Sequence, residues 1–301
     1  MSDSRRGFLK TLGASAVAAA APGTAAAMDP VTRSGPPRMR LSLAAYSFRK
    51  YLTEYRRGKP GPPGTMTLED FVDLCAKLEL DGTEPTMYYV PLPVSDDYLR
   101  RLRKRAFLQG LTVSGTAIGN TFTHPPGPEL EKEIAQTKAW IDHAAALGAP
   151  TIRIFAGDVP KGGTEEQARR STIDAIQRCC EYAGERGVIL ALENHGGIVS
   201  RADQLLSIVK EVKSEWFGVN WDSGNFRSAD AYAELEQIAP YAVTAQIKTK
   251  VGGKPADLKR VVGILKQANY RGWLALEYED EEDPKTAVPR YIEQLRGLVA
   301  G

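Results

Sequence analysis

Residues that build disulfide frameworks are scarce in this sequence. It has three cysteines in 301 residues, and two of them, Cys179 and Cys180, are adjacent. Adjacent cysteines on a helix cannot easily bond to each other, and Cys75 shows no metal-ligand spacing to either. We therefore predict three free thiols, buried or half-buried, rather than a disulfide framework or a cysteine-ligated metal.

A strong net charge is absent as well. The formal net charge is +2 at pH 7, so no field exists that would attract nucleic acid or an anionic membrane. Hydrophobic residues make up 43% and charged residues 25%, which is typical of a soluble globular protein. We predict neither nucleic acid as a partner nor stable insertion into a membrane.

The first 27 residues have the composition of an export signal. The segment Ser4–Lys10, "SRRGFLK", carries paired arginines and precedes an alanine-rich stretch that is too short and too weakly apolar to span a membrane. Ala25 and Ala27 suit a cleavage site, and the segment resembles a twin-arginine signal. We expect residues 1–27 to engage the twin-arginine translocation machinery, giving an exported, periplasmic protein; a disordered basic tail is the alternative.

Beyond a linker at 28–37, short apolar segments alternate with segments of helical periodicity. Eight such strand–helix pairs follow one another, the first strand spanning 39–48. Strict alternation predicts a parallel sheet covered by helices, and eight units fit a closed (β/α)8 TIM barrel at 38–301. A doubly wound sheet is the alternative, but the glycine-rich phosphate turn it usually carries after its first strand is missing.

Polar side chains lie at or near the ends of most of the predicted strands. In a TIM barrel the functional groups lie where strands end and the loops to the helices begin. Side chains two apart on a strand share a face, so Gln246 and Lys248 point the same way, as do Glu277 and Glu279. The candidates on the strands are, in chain order, Tyr46, Glu84, Arg153, Glu193, Asp222, Gln246, Lys248 and Glu277.

Four consecutive strands each supply an oxygen ligand at this end of the barrel. Three converging carboxylates, Glu193, Asp222 and Glu277, repel one another, and burying them without a cation is costly. With the amide oxygen of Gln246 they form an all-oxygen set. Such a set favours Mn²⁺ or Mg²⁺ over Zn²⁺.

Taken together, the motifs resemble the xylose isomerase-like TIM barrels, a family of sugar phosphate isomerases/epimerases. The resemblance covers about residues 38–300 and is carried by "LALENHGG", "VNWDSGNF", "TAQIKTKV" and "WLALEYE". It implies one divalent metal, Mn²⁺ first and Mg²⁺, Co²⁺ or Zn²⁺ as alternatives, at Glu193, Asp222, Gln246 and Glu277. Gln246 departs from the family, most of whose members have histidine there.

The resemblance further implies proton abstraction next to a carbonyl through an enediolate, with Glu193 and Glu277 as the catalytic acid and base. His143, inside an amphipathic helix, is expected to be structural, and the run 277–283 to be a solvated loop beyond its first residue. The expected substrate contacts are His195, Lys248, Arg153, His124, Glu84, Tyr46 and Asn225.

Several functions remain open at this point. The first is a sugar isomerase/epimerase acting on a free sugar or keto-sugar, since phosphorylated sugars are largely cytoplasmic. The second is an exported 3-keto-glycoside lyase or 3-keto-glycal hydratase using the same site, and the third a sugar-binding barrel without catalysis. A nuclease with a zinc cluster is disfavoured, because only three histidines are present and the net charge is small. A homo-oligomer is left open.

Overall fold

The computed structural model describes residues 28–55 and 58–300. The predicted export signal at 1–27 lies outside the described residues. In the predicted linker, the Val31 amide donates to the Pro240 carbonyl oxygen at 2.9 Å. The Arg33 guanidinium also donates to the Ala242 carbonyl. The linker therefore packs against the barrel near the start of one strand.

Parallel strands form the centre of the fold. The barrel strands are β1 (Arg38–Leu43), β2 (Gly82–Thr83), β3 (Thr112–Val113), β4 (Thr116–Ala117), β5 (Thr151–Ile154), β6 (Ile189–Glu193), β7 (Phe217–Asp222), β8 (Ala242–Ile247) and β11 (Arg271–Leu276). Seven of them join in the order β1-β11-β8-β7-β6-β5-β4. A small antiparallel pair, β9 (Lys250–Val251) and β10 (Lys254–Pro255), was not predicted.

Short pairings close the ring between β1 and β4. A bridge links Ala44, just after β1, to Glu84, just after β2, and β2 pairs in parallel with β3. The predicted third strand is split into β3 and β4 around Ser114 and Gly115. This arrangement of parallel strands with outer helices confirms the predicted (β/α)8 TIM barrel.

Eight helices surround the strands in the described part of the chain. They are α1 (Leu68–Lys77), α2 (Asp96–Leu108), α3 (Pro128–Leu147), α4 (Glu165–Arg186), α5 (Ala202–Val209), α6 (Ala231–Ile238), α7 (Leu258–Gln267) and α8 (Pro284–Ala300). Thr67 and Thr164 cap α1 and α4, and Asp70 and Gln167 complete the two capping boxes. No helix among residues 28–55 and 58–300 is long and apolar enough to cross a membrane.

The first strand is shorter than the sequence predicts. It ends at Leu43, and Ala45–Phe48 form a 3-10 turn instead. The Ser47 hydroxyl explains the turn, because it donates to the Leu276 carbonyl at 3.1 Å and accepts from the Tyr278 amide at 2.9 Å. Tyr46 therefore reaches the site from a turn and not from a strand end.

The core confirms the prediction for the cysteines. Cys75, Cys179 and Cys180 are all free and buried.

His143 lies on α3 with its Nδ1 3.0 Å from Asp96 Oδ1 on α2, a contact between two outer helices. That position agrees with a structural role.

Candidate active site

A cleft opens at the carboxyl ends of the barrel strands. It has the position of a small-molecule site in a TIM barrel. Six of its nine lining residues were predicted from the sequence. The lining residues are Tyr46, Tyr88, Arg153, Phe155, Glu193, His195, Lys248, Glu277 and Glu279.

Glu193 is the last residue of β6, and each of its carboxylate oxygens has a partner. Its Oε2 lies 2.9 Å from Arg153 Nε, and its Oε1 accepts a 2.7 Å hydrogen bond from Asn225 Nδ2. Burial, opposed by the positive charge of Arg153 and reinforced by Glu277, raises the pKa of Glu193. The carboxyl group is therefore held in one orientation and is easier to protonate than an exposed glutamate.

Arg153, on β5, is fixed from several sides. Its Nη1 donates to the Tyr88 hydroxyl at 3.0 Å and to the Ile118 carbonyl oxygen at 2.6 Å. The guanidinium carbon lies 3.9 Å from the centre of the Phe155 ring. A guanidinium anchored in this way presents a positive charge at a constant position beside Glu193.

Lys248 lies among carboxylates on the opposite side of the cleft. Its Nζ donates to Glu277 Oε2 and Glu279 Oε1 and lies 3.4 Å from Asp222 Oδ2. Burial disfavours the ionisation of Glu277, but the ion pair with Lys248 outweighs it and holds the pKa of Glu277 below its usual value. For Lys248 itself, the surrounding carboxylates outweigh burial and raise the pKa. Lys248 and Glu277 therefore form a charged pair at neutral pH.

Asp222 and Gln246, two of the four expected metal ligands, lie beneath the cleft and do not line it. Asp222 is 0% exposed and Gln246 is 1% exposed. The Asn194 side chain bonds both the amide and the carbonyl of Asp222, at 2.9 and 3.0 Å. Gln246 Oε1 accepts from Asn220 at 2.7 Å, and Gln246 Nε2 donates to Glu84 Oε1 at 2.9 Å. Both side chains are thus parts of a buried polar network.

The arrangement can be tested against the expected metal. The oxygen of Gln246 is turned to Asn220, and the Lys248 ammonium lies where the carboxylates converge. Among residues 28–55 and 58–300, no three His, Cys, Asp or Glu side chains are grouped so that they could hold a metal ion. As they are arranged, the four side chains do not fit the metal that the family resemblance implies.

The remaining expected contacts fall into three places. His195 lines the cleft, its ring 4.4 Å from that of Phe155. His124 lines an adjoining groove that shares Phe155 and His195 with the cleft. Asn225 binds Glu193 and lines another groove with Lys248. Glu84, expected to contact substrate, is instead bonded to Gln246 below the cleft.

Three lining residues were missed by sequence reasoning. Glu279 was assigned to a solvated loop, yet it pairs with Lys248; its position two residues after Glu277 was the available signal. Phe155 stands two residues after Arg153, which gives a similar but weaker signal. Tyr88 lies in a short 3-10 helix at Met87–Tyr89, and no strand pattern pointed to it.

Comparison with known proteins identifies the fold. The family model described as xylose isomerase-like TIM barrel matches residues 72–298. No curated protein matches the chain at a significant level. The match covers well over half of the chain, including every barrel strand from β2 to β11.

Solved structures resemble the chain over most of its length. D-psicose 3-epimerase from Clostridium cellulolyticum H10, solved with D-tagatose, is 16% identical with a TM-score of 0.70, and the match covers 87% of this chain and 99% of that one. The 3-keto-D-glucoside 4-epimerase from E. coli is 14% identical with a TM-score of 0.69, covering 86% and 100%. A probable 3-DHS dehydratase from Bacillus anthracis is 16% identical with a TM-score of 0.67, covering 86% and 99%. At such identities the likeness establishes the fold.

Proposed function

The chain belongs to the xylose isomerase-like TIM barrel family, and we propose that it is a sugar isomerase or epimerase that moves a proton next to a carbonyl group. Two of the three solved relatives described above are named as sugar epimerases. TIM barrels carry their chemistry at the carboxyl ends of the strands, where this chain has its cleft.

The observation that carries the proposal is the pair of carboxylates in one cleft. Glu193 comes from β6 and Glu277 directly follows β11, strands separated in the sheet by β7 and β8. A sugar bound between them would meet a carboxylate on each side, so one can remove a proton and the other can return one. Positive charge lies beside each, from Arg153 and from Lys248, as an enediolate oxygen requires.

The lining suits a sugar, and the expected export favours a free sugar or keto-sugar as substrate, because phosphorylated sugars are largely cytoplasmic. Charged and hydroxyl groups such as Arg153, His195 and the tyrosines suit sugar hydroxyls, and Phe155 and Tyr46 provide flat apolar surface for a sugar ring. Burial, followed by the charge of Arg153, lowers the pKa of His195. Its neutral imidazole can both donate and accept hydrogen bonds at pH 7.

A second candidate is a lyase or hydratase acting on a 3-keto-glycoside. The adjoining groove shares Phe155 and His195 with the cleft and extends it past His124. That extension leaves room for a group linked to the sugar. One solved relative is described as a probable dehydratase, and elimination begins with the same removal of a proton next to a carbonyl.

Deuterium exchange tests the proposal and separates the two candidates. The protein is incubated in D₂O with D-fructose, D-tagatose or a 3-keto-D-glucoside, with and without Mn²⁺, and the sugars are examined by NMR and mass spectrometry. Deuterium on a carbon next to the carbonyl, with the sugar otherwise intact, supports the isomerase or epimerase. Loss of the linked group supports the lyase. A protein that binds these sugars without exchange would be a binding barrel, and the proposal would fail.

Export is a separate proposal, supported by the sequence alone. The segment Ser4–Lys10 carries the paired arginines, and Ala25 and Ala27 precede the expected cleavage site. Replacing Arg5 and Arg6 by lysine should hold the protein in the cytoplasm. Sequencing the N terminus of the exported protein should place the start of the mature chain near Met28.

A further inference from the structure

We propose that the ammonium group of Lys248 takes the place of the divalent metal in this barrel and is the electrophile that stabilises the enediolate oxygen. The inference rests on the proposed function, and it deepens that function by naming the source of positive charge. It also gives Gln246, the residue that departs from the family, a structural role.

The ammonium lies at the point where the acids converge. Lys248 Nζ contacts Glu277 Oε2 and Glu279 Oε1 and is 3.4 Å from Asp222 Oδ2. Within the described chain, that oxygen of Asp222 is buried and has no hydrogen-bond partner, so the nearby ammonium is what compensates its charge. One cation thus serves three carboxylates, two of which were expected to bind the metal.

The surrounding backbone is shaped to hold this lysine. A Cβ at Gly224 would lie 2.6 Å from both Cβ and Cγ of Lys248, so only glycine leaves space for the lysine side chain. The Lys248 amide donates to the Ser223 hydroxyl at 2.8 Å. The Asp222 carboxylate is fixed in turn, because its Oδ1 accepts from the Gly224 amide at 2.8 Å. The loop after β7 therefore positions both the lysine and one of its acids.

Gln246 has a structural role inside the barrel. Its carbonyl oxygen accepts from Asn220, and its amide nitrogen donates to Glu84. With both ends bonded inside the barrel, the side-chain oxygen is turned to Asn220, and no part of the side chain lines the cleft. A glutamine held in this way ties β7, β8 and the end of β2 together beneath Lys248.

One hydrogen bond of the Lys248 ammonium can pass to a substrate. Glu277 and Asp222 are buried, whereas the Glu279 side chain is 43% exposed and is the outermost of the three partners. A substrate carbonyl oxygen entering the cleft replaces Glu279 as hydrogen-bond acceptor for the ammonium. The exchange keeps Lys248 charged while its third hydrogen bond passes to the substrate.

The proton transfer balances with these groups alone. A carboxylate oxygen of Glu277 or Glu193 forms a bond to the proton on the carbon next to the carbonyl. The electron pair of the C–H bond becomes the C=C bond of the enediolate, and the carbonyl oxygen takes the negative charge. Lys248 donates a hydrogen bond to that oxygen throughout. In an epimerisation, the opposite glutamate, in its protonated form, gives a proton to the other face of the same carbon, and the oxyanion becomes the carbonyl again. In an isomerisation, the proton goes to the former carbonyl carbon and the proton of the neighbouring hydroxyl passes to the oxyanion, so that the carbonyl moves by one carbon.

Metal uptake tests the proposal without relying on turnover. The wild type, Lys248→Met and Lys248→Arg are treated with EDTA, loaded with excess Mn²⁺, dialysed, and measured for bound metal and for thermal unfolding with and without Mn²⁺. We expect the wild type and Lys248→Arg to retain no stoichiometric Mn²⁺ and to show no shift in unfolding temperature. Lys248→Met leaves three carboxylates without their cation, so it should bind Mn²⁺ and be stabilised by it.

A surface substitution controls for loss of one positive charge. Lys259→Met, on the exposed side of α7, should behave as the wild type. Stoichiometric Mn²⁺ in the wild type, with an unfolding temperature that rises with Mn²⁺, would overturn the proposal, as would Lys248→Met that folds and binds no more metal than wild type. If Lys248→Met does not fold, the deuterium exchange rate of the wild type tests the proposal instead. We expect EDTA to leave that rate unchanged. A rate that EDTA abolishes and Mn²⁺ restores would overturn the proposal. Failure of the proposed function is distinct, because exchange would then be absent under every metal condition.

Discussion

The two sides of the cleft are built differently. On one side, β5, β6, β7, β8 and β11 are four to six residues long and have ionisable or amide side chains at or next to their carboxyl ends. On the other side, β2, β3 and β4 are two residues each, and the cleft there is lined by the ring of Tyr88, which follows β2, and by that of Tyr46, in the turn after the longer strand β1. We call these the long-strand side and the short-strand side.

The difference follows from what each kind of group needs. A buried carboxylate or ammonium must be held against its partner, and a strand bonded to neighbours on both edges holds its side chains in place. An aromatic ring that contributes its shape and one hydroxyl group needs less exact placement, so a turn can position it. The comparison assigns chemistry to the long-strand side and substrate binding to the short-strand side. If the division holds, substitutions on the long-strand side should reduce turnover or stability, and those on the short-strand side should reduce substrate affinity.

Glu277→Gln should have the largest effect on turnover. It keeps the size of the side chain but removes a group that can take or give a proton, and general acid–base catalysis contributes about 10²–10⁴-fold. We expect a loss of that order in the deuterium exchange rate, with substrate affinity little changed. Glu281→Gln, in the exposed loop nearby, is the matched control and should exchange at the wild-type rate. Full exchange by Glu277→Gln would mean that the chemistry lies elsewhere.

Arg153→Met should chiefly reduce stability. It leaves Glu193 buried without its cation, and breaking a buried ion pair from one side costs about 3–5 kcal/mol. Urea unfolding measures the loss, and Arg100→Met is the control, because the Arg100–Asp96 pair is exposed and contributes little. Similar losses for the two variants would show that the buried ion pair contributes no more to stability than the exposed one.

Tyr88→Phe tests the short-strand side. It removes the hydroxyl that accepts from Arg153 and keeps the ring, so the expected loss is about 1 kcal/mol, or roughly five-fold, in substrate affinity. Turnover at saturation should stay near the wild-type value, and Tyr241→Phe, outside the cleft, should change neither quantity. A fall in kcat with unchanged KM would show that Tyr88 takes part in catalysis, and the division between the two sides would then be wrong.

Much of the long-strand side could be predicted from the sequence. The alternation of strands and helices fixes where strands end, and Glu193, Arg153 and Glu277 stand at those ends because the period of a strand is regular. The side-chain partners could not be predicted in the same way. That Gln246 turns to Asn220 and Glu84, and that Lys248 lies among Asp222 and Glu277, depends on distances across the barrel.

The short-strand side was the harder one to predict. Its residues stand in turns, where no periodicity constrains which way a side chain points. Tyr46 was expected at a strand end and lies in a 3-10 turn fixed by Ser47, whereas Tyr88 was not expected at all. The site is therefore predictable where a ladder of backbone hydrogen bonds is long, and unpredictable where turns replace it.

The smallest expected effect concerns the thiols behind the two sides. Cys75, on α1, donates to Thr83 of β2 at 3.4 Å, and Cys179, on α4, lies behind the long-strand side. Burial raises the pKa of each thiol to about 12, so a thiol reagent at neutral pH reacts only after local opening of the structure exposes the thiol. Short strands have fewer ladder hydrogen bonds to break, and we expect Cys75 to be labelled a few-fold faster than Cys179 in the native protein. Mass spectrometry of timed labelling measures both rates in one sample, with urea-unfolded protein as the control for equal reactivity. Equal native rates would mean that the two sides open together, and the difference between them would then be one of chemistry and not of stability.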